Sequence, residues 1–261
     1  MVELKSLDSI IIDQPRRVMK YILIWCESGH LTAQIDNKEY SLSANEVVTI
    51  TSGQVHFMKN NRATGYVLEF TYDFFCKDDN DVELIFENGL FCHFDNNQII
   101  ELINHQTVHE QLKLIEQELH ERPYQYLTSV KSRIALILVE INRSKVGRGD
   151  EIWKPDALFL KFLELVRASF DSNQTLAKYA DKLHTSAQQL NEHAKAHTGK
   201  TAQMVIYGLI ASEAKRLLTY EPSLSVKEIA FRLGFNDPFY FSNFFKKHIG
   251  VSPKMYRQQI D

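Results

Sequence analysis

The chain has 261 residues, 44% of them hydrophobic, and a formal net charge of −3. That is enough to bury a sizeable core in about two domains, which excludes global disorder. No apolar stretch approaches a membrane span and no apolar run follows a basic region, so neither an anchor nor a signal peptide is expected. The three cysteines, Cys26, Cys76 and Cys92, have no CxxC spacing; buried free thiols in a reducing cytoplasm are the expectation. The charge is unevenly placed. Residues 157–261 hold 14 Lys and Arg against 9 Asp and Glu, and residues 1–156 hold 16 against 24. A basic segment beside an acidic one points to a polyanionic partner for the C-terminal part alone, although the excess is modest.

Residues 16–72 read as short strands. The run 21–26 is apolar and aromatic, 31–35 alternates, 36–38 make a tight turn, and 47–50 and 65–70 are further strands. Strands at turn-punctuated intervals predict an antiparallel sandwich or small barrel. From 107 to 145 the period changes. Leu112, Ile115 and Leu119 mark one helix, and Leu127, Val130, Ile134, Ile137 and Ile141 mark a second, with Pro123 between them. Leu136 and Leu138 widen the second helix's apolar surface, so it is expected either to serve the core alone or to pair two copies of the chain as well. The glycines and charges of 146–150, followed by Lys154 and Pro155, predict an exposed linker at 147–156.

The last hundred residues contain one helical unit twice. At an offset of fifty, Ala180 matches Ala230 and Leu183 matches Leu233; at fifty-one, Lys195 matches Lys246, His197 matches His248 and Gly199 matches Gly250. In the second copy Ser225 and Glu228 form a capping box, Gly234 suits a left-handed turn, and Asp237 caps a helix with Pro238 at its first position. Phe241, Phe245 and Phe244 are assigned to the core. The outward stripe is Phe239, Ser242, Asn243 and Lys246, which corresponds to Gln188, Asn191, Glu192 and Lys195 in the first copy. Gln189 and Lys247 flank these stripes. Gln188, Asn191 and Asn243 can pair with adenine, Glu192 can accept from cytosine, Phe239 can touch a thymine methyl, and the lysines suit phosphates. For a single helix such a stripe reads as a solvated face; the repeat favours DNA. The helix joining the copies, from about 202 to 220, carries Val205, Leu209, Ser212 and Arg216 at a spacing that separates apolar from polar faces.

The string Ile229-Ala230-Phe231-Arg232-Leu233-Gly234-Phe235-Asn236-Asp237, with Tyr240-Phe241-Ser242, Phe245-Lys246-Lys247, Gly250, Ser252-Pro253 and Tyr256-Arg257, resembles the signature of the AraC/XylS-type transcription regulators. The resemblance covers about the last hundred residues. It implies a monomeric unit that inserts two recognition helices into major-groove segments about 34 Å apart, and activation through RNA polymerase. Asn243 stands where the family usually has a basic residue, and Phe239 replaces a small polar one. Glu192 and Ala194 replace a common basic and a common aromatic residue, so the first recognition helix is the less typical. A weaker resemblance, carried by Gly29-His30-Leu31, Tyr40, Glu46-Val47-Val48, Ser52-Gly53 and His56, is to the cupin-like arm of that family.

The expected architecture is therefore α+β. A cupin-like jelly-roll barrel with following helices (1–146) serves sensing or dimerisation, and an all-α double helix-turn-helix domain (157–261) serves DNA binding. The expected protein is a cytoplasmic regulator, not an enzyme, with promoter DNA as partner and no membrane. A small effector in the barrel would meet Trp25, Tyr40, His56, Phe57 or Tyr66, although core packing competes for most of these. No cofactor and no metal site are expected. His30 and His56 stand alone without a His-x-His, and His184, His193, His197 and His248 read as surface or packing residues without ligand spacing. No phosphate loop or nucleophile elbow occurs. The rival readings are a protein-interaction adaptor and a cupin enzyme with a helical appendage.

Overall fold

Two long strands organise the N-terminal part of the chain. β3 (Tyr21–Ile35) and β6 (Val55–Phe70) pair antiparallel from Tyr21 opposite Phe70 to Ile35 opposite His56. β1 (Val2–Ser6) and β2 (Arg16–Arg17) join β6; β4 (Lys38–Ser43) and β5 (Glu46–Ile50) join β3; β7 (Ile99–Glu101) joins β5. All pairings are antiparallel. The expected tight turn falls after Ile35, where Asp36 takes a φ of 48°. The computed structural model describes residues 1–10, 12–91, 97–150, 155–171 and 173–260. Cys92 and Lys154, singled out above, lie outside the described residues. The chain divides into two compact units, Met1–Pro155 and Asp156–Asp261.

The sheet has two buried faces. Ile22, Ile24 and Cys26 of β3 meet Leu42, Val48, Ile50, Met58 and Val67 in one apolar cluster, as expected of a curled jelly-roll sheet whose alternate residues point inward. The intervening residues Tyr21, Leu23 and Trp25 are buried on the other face. Tyr21 meets Phe86 and Phe91 edge-on with ring centroids 5.7 and 5.3 Å apart, and Trp25 stacks on Tyr66. Register shifts lie between Cys26 and Ser28 and between Thr32 and Ala33. At the first, a Cβ on Gly65 would come within 2.1 Å of the Trp25 carbonyl oxygen, at a φ of +140°. Only glycine fits that crossing.

The helices above the sheet are α1 (Tyr72–Phe75), α2 (Asp79–Phe86), α3 (His105–Glu121) and α4 (Tyr126–Gly147). Val108, Leu112 and Ile115 of α3 and Val130, Ile134, Ile137 and Ile141 of α4 are buried, as their spacing predicts. Leu127 and Leu136 are 40% and 51% exposed. They stand about 180° apart around α4, so they do not form one seam.

The C-terminal unit is all helical: α5 (Ala157–Ser169), α6 (Leu176–Lys182), α7 (Ala187–Thr198), α8 (Ala202–Tyr220), α9 (Val226–Arg232), α10 (Pro238–Ile249) and α11 (Pro253–Ile260). α8 packs against α5, α7, α9, α10 and α11. Val205 and Leu209 are buried as expected, but so are Ile206, Ile210, Ala214, Leu217 and Leu218. The bridging helix is therefore a core element with a narrow exposed strip, rather than a helix divided evenly into apolar and polar faces.

A buried polar knot joins β2 to β6. Arg16 Nε donates to His56 Nε2 at 2.9 Å, and the Arg16 guanidinium also donates to Glu69 at 2.5 Å, while Lys20 reaches Glu69 at 3.2 Å. Burial pushes the Glu69 carboxyl up, but hydrogen bonds and charge from Arg16, Lys5 and Lys20 outweigh it and hold the group below its ordinary value. Burial and the Arg16 charge push His56 down to about 4. The imidazole is therefore neutral in the fold, with Nδ1–H donating to the Gln54 carbonyl at 3.2 Å. An unfolded chain protonates this histidine near 6.5, so between that pH and about 4 the unfolded state binds more protons than the folded state. Stability from this group is complete above about pH 6.5 and falls by about 3 kcal/mol as pH drops toward 4. Denaturant unfolding at a series of pH values should show this slope in the wild-type chain and a flatter one in His56→Gln; equal slopes would contradict the assignment.

Candidate nucleic-acid interface

The two helix-turn-helix units are built by the same backbone bonds. Leu183 N–H donates to the Tyr179 carbonyl and Leu233 N–H to the Ile229 carbonyl. Thr185 N–H then donates to Ala180 O at 3.0 Å, and Phe235 N–H to Ala230 O at 2.9 Å. Each turn passes through a left-handed residue, His184 at φ 52° and Gly234 at φ 77°. The second unit uses the residue type for which this conformation is free of Cβ strain; the first does not.

Each outward helix is fixed at its start. Ser186 caps α7 in a reciprocal capping box with Gln189. Asp237 caps α10, with Pro238 in the first turn, and Ser225 and Glu228 form the capping box of α9. The buried residues of the two outward helices correspond at the offset of fifty-one. Leu190 and Ala194 face inward from α7, and Phe241 and Phe245 from α10. The smaller pair in α7 is matched by aromatic bulk beneath it. Phe162 of α5 meets Tyr179 of α6 edge-on at 5.7 Å, and all of Phe159, Phe162 and Tyr179 are fully buried. Phe244, assigned to the core with its neighbours, is only half-buried. It lies in a ring cluster with Tyr207, Phe235 and His248.

The outward stripes are largely where the sequence puts them. Gln188, Glu192 and Lys195 of α7 are exposed, as are Phe239, Asn243, Lys246 and Lys247 of α10. Phe239 is 69% exposed, and so is Tyr240, a second solvent-facing aromatic that the stripe spacing misses. Gln188 donates to Glu192 at 2.9 Å, so these two groups meet any ligand as a pair. Three other positions are engaged within the fold. Gln189 serves the cap of α7. Ser242 Oγ donates to the Pro238 carbonyl at 2.9 Å. Asn191 is half-buried, and its Oδ1 accepts from Ala202 N–H at 3.0 Å. At the matching point of the second unit stands Pro253, which has no N–H to satisfy, so Ser242 has no such duty.

The residues suggested for an effector do not converge. Trp25 and Tyr66 stack on the helix-covered face of the sheet, with the Trp25 edge against His109. Tyr40 packs on the inner apolar cluster, and its hydroxyl accepts from Asn97 N–H at 3.1 Å. His56 belongs to the Arg16 knot, and Phe57 packs on the inner cluster. A solvent-open cavity of about 280 Å³ is lined instead by Lys5, Ser9, Ile10, Ile12 and Arg16. Sequence reading missed it because most of its lining comes from the irregular segment between β1 and β2.

The histidines of α7 also differ from expectation. His193 and His197 are four residues apart and share a helical face. His193 Nδ1 lies 2.6 Å and His197 Nε2 2.5 Å from Asp156 Oδ2. Asp156 is at the same time the cap of α5, accepting from Phe159 N–H. Burial raises its carboxyl, but the His193 and Phe159 bonds outweigh burial and hold the group below its ordinary value.

Three substitutions check this local reading. Asn191→Ala should destabilise the C-terminal unit by about 1 kcal/mol, since it orphans the Ala202 donor. Gly234→Ala should cost about 1 kcal/mol or more through its left-handed φ, whereas His184→Gly should be neutral or stabilising. Thermal unfolding monitored by circular dichroism reads all three; unchanged stability in Asn191→Ala and Gly234→Ala would contradict the assignments.

Comparison with known proteins agrees with this geometry. Residues 179–259 match a family model described as a helix-turn-helix domain. The chain is 31% identical over 140 residues to the HTH-type transcriptional activator RhaS of Escherichia fergusonii, covering 52% of this chain and 49% of that protein. It is 27% identical over 169 residues to the RhaS of Enterobacter sp. (strain 638), covering 65% and 60%. The chain thus spans about half the length of the curated relatives it matches. Among solved structures it is similar to unsaturated fatty acid bound ToxT from Vibrio cholerae, with 16% identity, a TM-score of 0.41 and coverage of 98% of this chain and 94% of that one. Among the described residues no helix is long and apolar enough to cross a membrane. Residues 179–259 thus carry a helix-turn-helix domain, and the relatives that the chain resembles are HTH-type transcriptional activators.

Proposed function

We propose that this chain is a sequence-specific DNA-binding transcription regulator, without enzymatic activity, that reads two adjacent major-groove segments with α7 and α10. The observation that carries the reading is the pair of capped, solvent-facing helices held by one bridging helix, each ending its exposed stripe in a lysine. α8 has 19 residues and so spans about 28 Å, comparable with the ~34 Å groove repeat. Lys195, Lys246 and Lys247 are suited to phosphates. Asn243, Phe239 and the Gln188–Glu192 pair are suited to base edges. Asn191 has a smaller part in this reading than its residue type suggests, because its carboxamide oxygen already caps α8.

The same reading includes activation through RNA polymerase, pairing of two copies through α3 and α4, and control by a small effector. The cavity lined by Lys5, Ile10, Ile12 and Arg16 is a better effector candidate than the dispersed Trp25, Tyr40, His56 and Tyr66, because its lining residues converge on one space. Its two aliphatic side chains lie beside Lys5 and Arg16, which already pair with Glu69, so the cavity suits a small ligand with an apolar body.

Selection of binding sites from a promoter library, followed by gel-shift titrations over a range of salt, tests the function. Lys246→Ala should weaken binding to every selected sequence and lower the salt slope by about one. Asn243→Ala should cost about 1–3 kcal/mol at one base position and relax preference there. Uniform loss across all sequences in Asn243→Ala would remove it from base reading. No salt-sensitive specific binding by the wild-type chain would overturn the proposal.

A further inference from the structure

We propose that Asp156, His193 and His197 form a divalent-cation site of the zinc class, which ties the first outward helix to the first residue of the C-terminal unit. One carboxylate oxygen and two imidazole nitrogens from these side chains lie within 4.8 Å of one another. Two imidazoles and a carboxylate are the donor set that zinc and its neighbours in the first transition row take, usually with water or another group completing the shell.

The arrangement is built by regular elements. His193 and His197 are one helical turn apart on α7, where their backbone positions are fixed by the Ser186 cap at one end and Gly199 at the other. Asp156 is held by its Oδ1, which accepts from Phe159 N–H at 2.9 Å. That leaves Oδ2 directed at both rings. The His197 ring is seated on Phe159 with centroids 5.3 Å apart. The side chains of Asp156 and His193 are about one-third exposed, at 36% and 35%, so the open side of the cluster faces solvent and can admit an ion with its remaining water.

His197 Nε2 is shared between two groups of Asp156. His197 Nε2 receives the Asp156 backbone N–H at 3.3 Å and also faces Asp156 Oδ2 at 2.5 Å. A cation bound to Nε2 and Oδ2 would take the place of the proton between them. Zinc bonds of about 2.0–2.1 Å require ligand atoms roughly 3.3 Å apart. The two rings therefore need to draw back from Oδ2 by less than about 1 Å, within the range of small side-chain rotations.

Around α7, His193 and His197 point about 140–180° away from Gln188, so the ion would not lie on the solvent-facing stripe. It would instead fix the helix from behind, adding a cross-link between α7 and the start of α5 in the unit where α7 has the smaller apolar residues. The effect on DNA rests on the function proposed above; the existence of the site does not.

Chelator-treated full-length chain, titrated with Co²⁺ and then with Zn²⁺, tests the site directly. The expected result is one equivalent of Co²⁺ giving the visible ligand-field bands of a low-coordinate N/O site, displaced by Zn²⁺, with Zn²⁺ raising the thermal unfolding temperature. His193→Gln and His197→Gln should each weaken binding by at least about tenfold. Asp156→Asn, which keeps a capping side chain for α5, should do the same. Absence of Co²⁺ bands in the wild-type chain, or binding undiminished in the His193→Gln, His197→Gln double variant, would overturn the site whatever the chain does with DNA.

Discussion

The packing of α8 is the constraint on which the C-terminal unit depends. One 19-residue helix supplies buried surface to both repeats, and its residues from Val205 to Leu218 are apolar around most of the circumference. Each helix-turn-helix unit packs its buried face on α8. α6 and α9 have seven residues each, well below the length at which an isolated helix is stable. Sharing a core therefore makes the repeats one cooperative body. It also fixes the two outward helices relative to each other, which a reader of adjacent groove segments requires.

Within that shared frame the two copies solve the same problem with different side chains. The second copy keeps aromatic bulk in its outward helix, at Phe241 and Phe245, and glycine at its turn. The first moves the bulk to α5 and α6, accepts histidine at the left-handed position, and enlists Asn191 to satisfy the first turn of α8. It also carries the Asp156–His193–His197 cluster on its inner side. The asymmetry in outward chemistry, an amide–acid pair in α7 against an aromatic and an asparagine in α10, therefore has a counterpart in how each helix is held.

What could be read from the sequence was what is decided locally. Caps, the glycine turn, the proline at the start of α10 and the helical spacing of buried residues depend on neighbours within about four positions, and the chain displays them directly. The strand order of the N-terminal unit follows less openly, although the alternation in β3 is plain. The two register shifts and the close crossing at Gly65 determine which residues face the inner cluster and which face the helices. That is why Trp25 and Tyr66 separate from Tyr40 and His56. Groups whose partners lie 11 to 41 residues away were hidden for the same reason. The cap supplied by Asn191 depends on Ala202, and the histidines of α7 depend on Asp156. These histidines read as having no ligand spacing in the sequence, because the carboxylate that faces them is far away in the chain.

The central claim is that two unequal helices on one rigid frame address two successive stretches of major groove. Guanine-methylation and phosphate-ethylation interference on a selected binding site would test it most directly. The account predicts two clusters of interference about one helical turn apart on the same face of the duplex, one weakened by Lys195→Ala and the other by Lys246→Ala. A single cluster, weakened by both substitutions alike, would contradict it.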